Sequence, residues 1–255
     1  MSEPAIYDRT AERWARDTPQ SLSDFTGRPA VIDLCEPAGA TILDLGCGEG
    51  YCARIFRRRG AASVTGVDGS ERMIAIAQQT EATSPLGIDY RVANVLTEGA
   101  IGGPVDVVSA VFLFNYLTIE EMTAVMTRVH HVLRPGGRFV FAVPHPSFAF
   151  MHDGRPPFYF ERGQRGYFGS RDRRHRGQID RIDGQRLDVA AYHKTLEDYI
   201  RSLADAGFRS LPEIRELGVQ EEHLSLNPEF FGPVADLPLH LAVRIEKLTR
   251  GEKRS

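Results

Sequence analysis

Short apolar segments alternate with amphipathic segments over the first 143 residues of the chain. The first apolar segment, Thr41 to Leu45, ends in glycines, as the buried strands of parallel sheets often do. The segment at 105–112 is almost wholly apolar. The pattern therefore predicts strands at residues 41–45, 63–67, 88–95, 105–112 and 138–143, with helices at 51–59, at 70–79 and from Thr118 onward.

The helix after Thr118 has the clearest boundaries in the sequence. Thr118 and Glu121 stand at the spacing of a capping box, in which each side chain bonds the other residue's backbone N–H. The helix should end before Pro135-Gly136-Gly137. Its inner face is predicted to carry Met122, Val125, Met126, Val129 and Leu133.

Strand and helix alternate five times, which requires right-handed crossovers and a doubly wound arrangement. A helix capped by Thr195 and strands at 210–216 and 239–247 complete the chain. The sequence thus predicts an α/β fold, a Rossmann-like, mostly parallel, seven-stranded sheet with helices on both faces. In such a sheet the ligand binds at the carboxyl ends of the strands.

A glycine-rich loop, Asp44-Leu45-Gly46-Cys47-Gly48-Glu49-Gly50, joins the first strand to the first helix of this alternation. Dinucleotide-binding folds need Gly-x-Gly-x-x-Gly, but the third glycine of that spacing is replaced by Tyr51. No Gly-Lys-Ser/Thr follows, which excludes a phosphate-binding P-loop. Asp68 ends the second strand, where a carboxylate can accept hydrogen bonds from ribose hydroxyls. The upstream Asp44 suits a cofactor that carries an ammonium and a sulfonium.

From about Tyr7 to Val143 the chain resembles the class I S-adenosylmethionine-dependent methyltransferases. Four motifs occur in the family order, each on the expected element. They are Ile42–Gly50, Val67-Asp68-Gly69-Ser70, Ala93-Asn94-Val95 and Leu133-Arg134-Pro135-Gly136-Gly137-Arg138-Phe139.

The resemblance implies that the chain binds S-adenosylmethionine and its product S-adenosylhomocysteine. Gly46 and Gly48 would line the methionine moiety, and Asp44 would hold its ammonium through water. Asp68 would bind the ribose, and Met73 would pack near the adenine. Asn94 stands where the family often has aspartate. The full implied cofactor site is Tyr7, Asp44, Gly46, Cys47, Gly48, Asp68, Gly69, Ser70, Met73, Asn94, Val95 and Phe112.

The 255 residues fit a single domain, with 42 % apolar and 25 % charged residues. Two short helices are expected within residues 1–40, the first of them at Ile6 to Asp17. Residues Met151 to Asp188 are too rich in glycine for regular structure and should form a packed lid, because aromatic residues punctuate them. The expected parts are an N-terminal helical lid (1–40), a cofactor-binding core (41–143), an acceptor-binding insertion (144–194) and a closing helix and strands (195–255).

Acceptor chemistry points to three side chains near the expected site. His145 follows the fifth strand, His193 precedes the helix at Thr195, and Tyr116 lies beyond the fourth strand. A nearby base assists methylation of an acceptor that must lose a proton. Six arginines and one acid between 162 and 176 suit an anionic acceptor, a nucleic-acid backbone or a solvated surface loop.

The predicted activity is methyl transfer to an oxygen, nitrogen or carbon of a small organic acceptor in specialised biosynthesis. A nucleic-acid (RNA) methyltransferase is an alternative, weakened by a net charge of −3. Base-modifying enzymes of the amino-methylating type resemble one another in a polar-Pro-Pro-aromatic motif after the fourth strand, whereas this chain has Asn115-Tyr116-Leu117 there. A non-catalytic cofactor-binding protein is the other alternative. Three cysteines without Cys-x-x-Cys spacing indicate no metal site. The expected location is cytoplasmic, without a membrane segment; the oligomeric state is left open, with a homodimer as one option.

Overall fold

The structure is a computed structural model that describes residues 11–97, 102–152, 154–161 and 163–249. Its centre is a sheet of seven strands: β1 Thr41–Leu45, β2 Ser63–Asp68, β3 Ile88–Val92, β4 Val105–Val111, β5 Leu133–Pro144, β9 Glu213–Leu217 and β10 His240–Glu246. Their order in the sheet is β3-β2-β1-β4-β5-β10-β9. The pairs among β1 to β5 are parallel, and β10 is antiparallel to both of its neighbours. The predicted fold class is confirmed.

Helices cover both faces of this sheet because alternate strand residues are apolar on each side. The helices are α1 Leu22–Thr26, α2 Arg28–Cys35, α3 Tyr51–Arg58, α4 Glu71–Thr83, α5 Ile119–Val132, α6 Phe148–Met151, α7 Leu196–Asp205, α8 Glu221–Leu226 and α9 Pro228–Phe231. On one face of the sheet, Leu43, Phe139 and Phe141 join a buried cluster with α5 and α7. On the other face, Ile42 and Val140 join a cluster with α2, α3 and α4. Short 3₁₀ helices span Phe114–Tyr116 and Gly232–Val234.

The predicted helix caps are present. Thr118 Oγ1 accepts a hydrogen bond from the Glu121 N–H at 3.2 Å, and the Glu121 carboxylate accepts one from the Thr118 N–H at 2.8 Å. Thr195 and Asp198 form the same reciprocal pair at the start of α7. Each box satisfies N–H groups that a helix cannot bond internally.

The prediction that residues 151–188 lack regular structure is wrong. They contribute to a second sheet, antiparallel, in the order β6-β7-β8, with β6 Phe158–Phe160, β7 Arg174–Asp180 and β8 Arg186–Tyr192. The glycines serve turns and close packing. A Cβ on Gly177 would lie 2.2 Å from the Tyr159 carbonyl, and Gly184 has a φ of +83° in the turn between β7 and β8. Glycine is needed at both places for reasons compatible with strands.

The small sheet packs on a third apolar cluster that also receives residues of α1, α6 and α9. Near the N-terminus, residues 11–14 are helical, while the start of the predicted first helix, including Tyr7, lies outside the described residues. Across the described ranges, no helix is long and apolar enough to cross a membrane. The division of the domain into four functional parts stays a prediction.

Candidate functional site

A cavity of about 580 Å³ lies at the carboxyl ends of β1, β2 and β4. Its volume is within the range of small-molecule sites. Its walls come from three parts of the fold: the turns after the parallel strands, the N-terminal helices and the small sheet. The lining residues on which the site depends are Trp14, Arg16, Arg28, Gly46, Gly48, Glu49, Asp68, Gly69, Met73, Asn94, Val95, Phe112, Tyr116, Glu121, Arg174 and Tyr192.

The glycine-rich loop forms the floor of this cavity next to β1. The N–H of Gly46 donates to the Val67 carbonyl at 2.8 Å, which ties the loop to the end of β2. Gly48 has a φ of +56°, and a Cβ built on it would meet nothing within 4 Å. Since Gly48 lines the cavity, the backbone there can be approached closely by a ligand.

Asp68 is held in place by the loop that it faces. One carboxylate oxygen accepts from the Gly48 N–H at 2.9 Å, and the other accepts from the Ser70 N–H at 2.9 Å. Ser70 in turn caps α4, accepting from the Met73 N–H at 3.1 Å. These bonds orient the carboxylate before any ligand arrives, and Asp68 and Met73 both line the cavity.

Asp44 lies behind the loop and does not line the cavity. Its side chain is 1 % exposed, and burial raises its pKa to about 7. Among the described residues, its Oδ2 atom has no hydrogen-bond partner. A buried oxygen without a partner is costly, so this position favours a donor from a ligand or a bridging water.

A buried ionic cluster forms the wall on the N-terminal side. Arg16 bridges Asp24 at 2.9 Å and Glu49 at 3.0 Å, Arg28 bonds Asp24 at 2.9 Å, and Arg54 bonds Glu49 at 2.9 Å. Asp17 lies 4.0 Å from Arg54, so three guanidinium groups face three carboxylates. Arg16 and Arg28 line the cavity together with Glu49, and these two guanidinium groups suit the carboxylate of a ligand.

A smaller space of about 60 Å³, here called the aromatic chamber, lies beside the cavity. The two share Trp14, Arg28, Phe112 and Tyr116 in their walls. Phe112 has a φ of +59°, a conformation that non-glycine residues rarely adopt and that is frequent at functional sites. The rest of the chamber comes from α1, the 3₁₀ helix Phe114–Tyr116, β5, the small sheet and β10: Leu22, Ser23, Asn115, Pro144, Phe158, Phe160, Ile179, Val189, Ala190 and His240.

Comparison with known proteins places this architecture among methyltransferases. A family model described as a methyltransferase domain matches residues 42–137. A putative S-adenosylmethionine-dependent methyltransferase from Listeria monocytogenes is 25 % identical with a TM-score of 0.63, covering 88 % of this chain and 99 % of that one. The CcbJ methyltransferase of Streptomyces caelestis has the same fold, with a TM-score of 0.64 at 19 % identity and coverage of 96 % and 98 %.

Among curated relatives, the ubiquinone biosynthesis O-methyltransferase of Pseudomonas paraeruginosa is 34 % identical over 143 residues. That match covers 54 % of this chain and 60 % of the relative. The chain is an S-adenosylmethionine-dependent methyltransferase. The motifs identified in the sequence, which resemble those of the class I family, had predicted this.

The cavity of this methyltransferase fits its cofactor, S-adenosylmethionine, which supplies a methyl group on a positively charged sulfur. Asp68 is oriented so that a ribose could donate to it, and the backbone of Gly48 is open to a methionine moiety. Arg16 and Arg28 carry the charge that suits the carboxylate of that moiety, whereas Asp44, behind the loop, would reach its ammonium only through a bridging water. The predicted cofactor residues that line the cavity are Gly46, Gly48, Asp68, Gly69, Met73, Asn94, Val95 and Phe112.

Among the described residues, the predicted cofactor residues Asp44, Cys47 and Ser70 do not line the cavity. Cys47 and Ser70 are buried next to the cavity, and Tyr7 is outside the described residues. Asn94 uses its side-chain oxygen to accept from the Leu96 N–H at 2.9 Å, so that atom already has a bond. The individual cofactor contacts of all these residues stay predictions.

The three predicted catalytic residues do not come together. Tyr116 lines both the cavity and the chamber, whereas His145 and His193 line a separate space of about 30 Å³. His145 Nε2 lies 2.8 Å from Glu216 of β9. His193 Nε2 lies 2.9 Å from the Tyr167 carbonyl, and burial lowers the pKa of His193 to about 4. Their roles in catalysis stay predictions.

The arginine-rich segment is divided among several environments. Arg171 pairs with Asp198 of α7, and Arg173 is exposed, whereas Arg174 lines the cavity. Arg162 lies outside the described residues. Arg174 is thus the member of the segment that the structure places at the site.

Sequence analysis missed several residues that build the site. Lys194 is 2 % exposed, and its Nζ donates to the backbone carbonyls of Phe114, Leu117 and Tyr192. It therefore joins the end of β8 to the turn that carries Tyr116. A lone lysine gives no local signal of this contact, nor does His240, because their partners are distant in the sequence. Arg28 pairs with Asp24 only four residues away, a helical spacing that gave no sign of a place at the cavity.

Proposed function

We propose that this methyltransferase acts on a small organic molecule whose reacting end enters the aromatic chamber. The observation that carries the proposal is the wall that the chamber shares with the cofactor cavity through Trp14, Arg28, Phe112 and Tyr116. Methyl transfer needs the acceptor atom and the methyl carbon in line and close together. An acceptor held in the chamber would therefore lie next to the methionine end of the cofactor, on the side that these four residues line.

The size of the chamber limits what can enter. A water molecule needs roughly 10–15 Å³ of cavity volume, so about 60 Å³ holds roughly four to six waters. That space suits a ring-sized group, and the remainder of a larger acceptor would extend into the main cavity. The aromatic and aliphatic side chains of Phe158, Phe160 and Ile179 favour an apolar surface on that group.

The small sheet supports the proposed role of residues 144–194 in binding the acceptor. Its strands supply Phe158 and Phe160 from β6, Ile179 from β7, and Val189 and Ala190 from β8 to the chamber. Covering the reacting atoms with this sheet would exclude water from the sulfonium. Arg174 at the cavity wall supports an anionic group on the outer part of the acceptor.

The test is turnover with methyl-labelled S-adenosylmethionine and a bacterial metabolite extract, followed by mass spectrometry for labelled small molecules. Ala190→Trp would fill the chamber, and Ala82→Trp, on the exposed surface of α4, is the matched control. We expect a labelled product with the parent and the control, and at least a hundredfold loss with Ala190→Trp. S-adenosylhomocysteine affinity should be equal in all three.

Two outcomes would count against the proposal. Parent protein that labels no small molecule would exclude a small-molecule acceptor. Full turnover with Ala190→Trp would show that the acceptor binds outside the chamber. Specialised biosynthesis as the context of the reaction, and a homodimer as the assembly, remain part of this proposal.

A further inference from the structure

His240, the first residue of β10, is a titratable group in the aromatic chamber that the sequence motifs did not indicate. Its side chain is 2 % exposed and lines the chamber. Its ring contacts Phe112 edge-on at a centroid distance of 5.0 Å and stacks on Phe158 at 5.9 Å. These two aromatic contacts fix the position of the imidazole within the chamber wall.

The hydrogen bonds of Thr26 determine which imidazole nitrogen carries the proton. Thr26 Oγ1 lies 2.9 Å from the Leu22 carbonyl and 3.0 Å from His240 Nδ1. A hydroxyl has one hydrogen, and the carbonyl can only accept, so the hydroxyl donates to Leu22. Nδ1 must then donate to the hydroxyl oxygen, which leaves a lone pair on Nε2. Among the described residues, Nε2 has no hydrogen-bond partner.

Asn115 provides an independent observation on the same chamber. It is 5 % exposed and lines the chamber, and its buried Oδ1 atom has no partner among the residues described. His240 Nε2 therefore offers an acceptor in a chamber whose lining is mostly aromatic and aliphatic, with Arg28, Ser23 and Tyr116 as its other polar side chains, and Asn115 adds a buried oxygen without a partner in the same wall. A group that enters this space would bond Nε2 only if it carries a hydrogen-bond donor.

We propose that the acceptor presents a hydroxyl group to His240 Nε2, and that His240 takes the hydroxyl proton during an O-methylation. This inference rests on the proposed function. The acceptor oxygen forms a bond to the methyl carbon, the carbon–sulfur bond breaks, and sulfur keeps the electron pair. The hydroxyl proton passes to Nε2, and the imidazolium later releases it to water.

The protonation state of His240 suits this role. Its pKa is lowered to about 3, mainly by burial and in addition by the charges of Arg28 and His145, while Asp24 acts in the opposite direction. The imidazole is therefore neutral in the folded protein at ordinary pH. A weak base is sufficient here because the hydroxyl proton becomes strongly acidic as the oxygen gains a methyl group.

A first experiment tests the geometry without turnover. Long-range ¹H–¹⁵N NMR of the full chain, labelled in its histidines and loaded with S-adenosylhomocysteine, identifies the tautomer of His240, assigned with His240→Gln. We expect a proton on Nδ1 and none on Nε2 at pH 7. Phenol should shift the Nε2 resonance, whereas toluene, equal in shape but without a hydroxyl, should not. A protonated Nε2, or equal shifts with both probes, would overturn the proposal.

A second experiment tests the chemistry with the acceptor found by extract labelling. His240→Gln should lower kcat about a hundredfold or more with unchanged cofactor affinity, and His223→Gln, on α8, should change neither. NMR of the product should show the new methyl group on oxygen. If the parent methylates an acceptor but His240→Gln keeps its kcat, or the methyl group is on carbon or nitrogen, this inference fails alone. If the parent methylates nothing, the proposed function itself fails.

Discussion

Replacing Asp68 should weaken cofactor binding strongly without unfolding the protein. Its carboxylate lines the cavity and is oriented by the N–H groups of Gly48 and Ser70, each at 2.9 Å. Hydrogen bonds to charged groups contribute about 1.5–3 kcal/mol each. If a ribose donates two of them, Asp68→Ala costs about 3–6 kcal/mol, which is roughly 10² to 10⁴-fold in affinity.

Asp68→Asn is the more informative change. An amide has one oxygen, so its NH₂ group must face one of the two backbone N–H donors. We therefore expect this conservative substitution to disturb the loop as well as the ribose contact, and to weaken binding about as much as alanine does. Asp89→Asn, an exposed aspartate on β3, is the matched control and should have no effect.

The measurement is calorimetric titration with S-adenosylhomocysteine, with circular dichroism to confirm that each variant is folded. The expected order of affinity is parent equal to Asp89→Asn, with both Asp68 variants roughly a hundredfold weaker or more. A folded Asp68→Ala protein within threefold of the parent would refute the assignment of this carboxylate to the ribose. Asparagine binding as well as the parent would refute the argument from the two N–H donors.

Three further outcomes are expected. Burial lowers the pKa values of His193 and His240 to about 4 and 3, so each of these groups binds more protons in the unfolded chain below pH ~6.5, whereas the raised pKa values of Asp44 and Glu49 act in the opposite direction. The contribution of His193 is therefore measured as a difference: the free energy of unfolding of the parent minus that of His193→Gln, from urea titrations, should fall as the pH falls from about 6.5 to about 4, and a constant difference would contradict this. Lys194→Met leaves buried carbonyls unsatisfied and should cost about 1–3 kcal/mol of stability. The same change should lower turnover but leave the affinity for S-adenosylhomocysteine unchanged, and full activity would contradict a positioning role for Lys194. Arg174→Gln should raise the KM of an anionic acceptor, whereas Arg173→Gln, at an exposed arginine that does not line the cavity, should not. Equal effects of the two changes would show that the overall positive charge of the segment acts, and not a contact made by Arg174.

Most of the central sheet could be predicted from the sequence because its signals are local. The apolar segment at β1 and the box of Thr118 with Glu121 depend on neighbours within a few residues, and both occur as predicted. The glycine loop is equally local, since the tight turn requires glycines at Gly46 and Gly48 whatever the rest of the chain does. These features were enough to predict the fold class and the cofactor.

The small sheet shows where local reasoning failed. The glycines of 151–188 indicated irregular structure, yet Gly177 lies within β7. Glycine is needed there because the backbone of Tyr159 in the neighbouring strand approaches too closely for a side chain. Whether a glycine marks a loop or a close contact depends on the partner strand. That partner is known only once the chain has folded.

By itself, the sequence determined the alternating strands and helices, the glycine loop and the aspartate at the end of β2. Each of these follows from backbone geometry and from contacts between near neighbours. Only the tertiary structure decided the acceptor side of the site. Thr26 and His240 are 214 residues apart, and the tautomer of the imidazole depends on their contact. His145 was expected at the site from its place after β5, yet its ring direction is set by Glu216 of a distant strand. Side chains of this kind carry no local signal, because their partners are brought to them by the closure of the whole sheet.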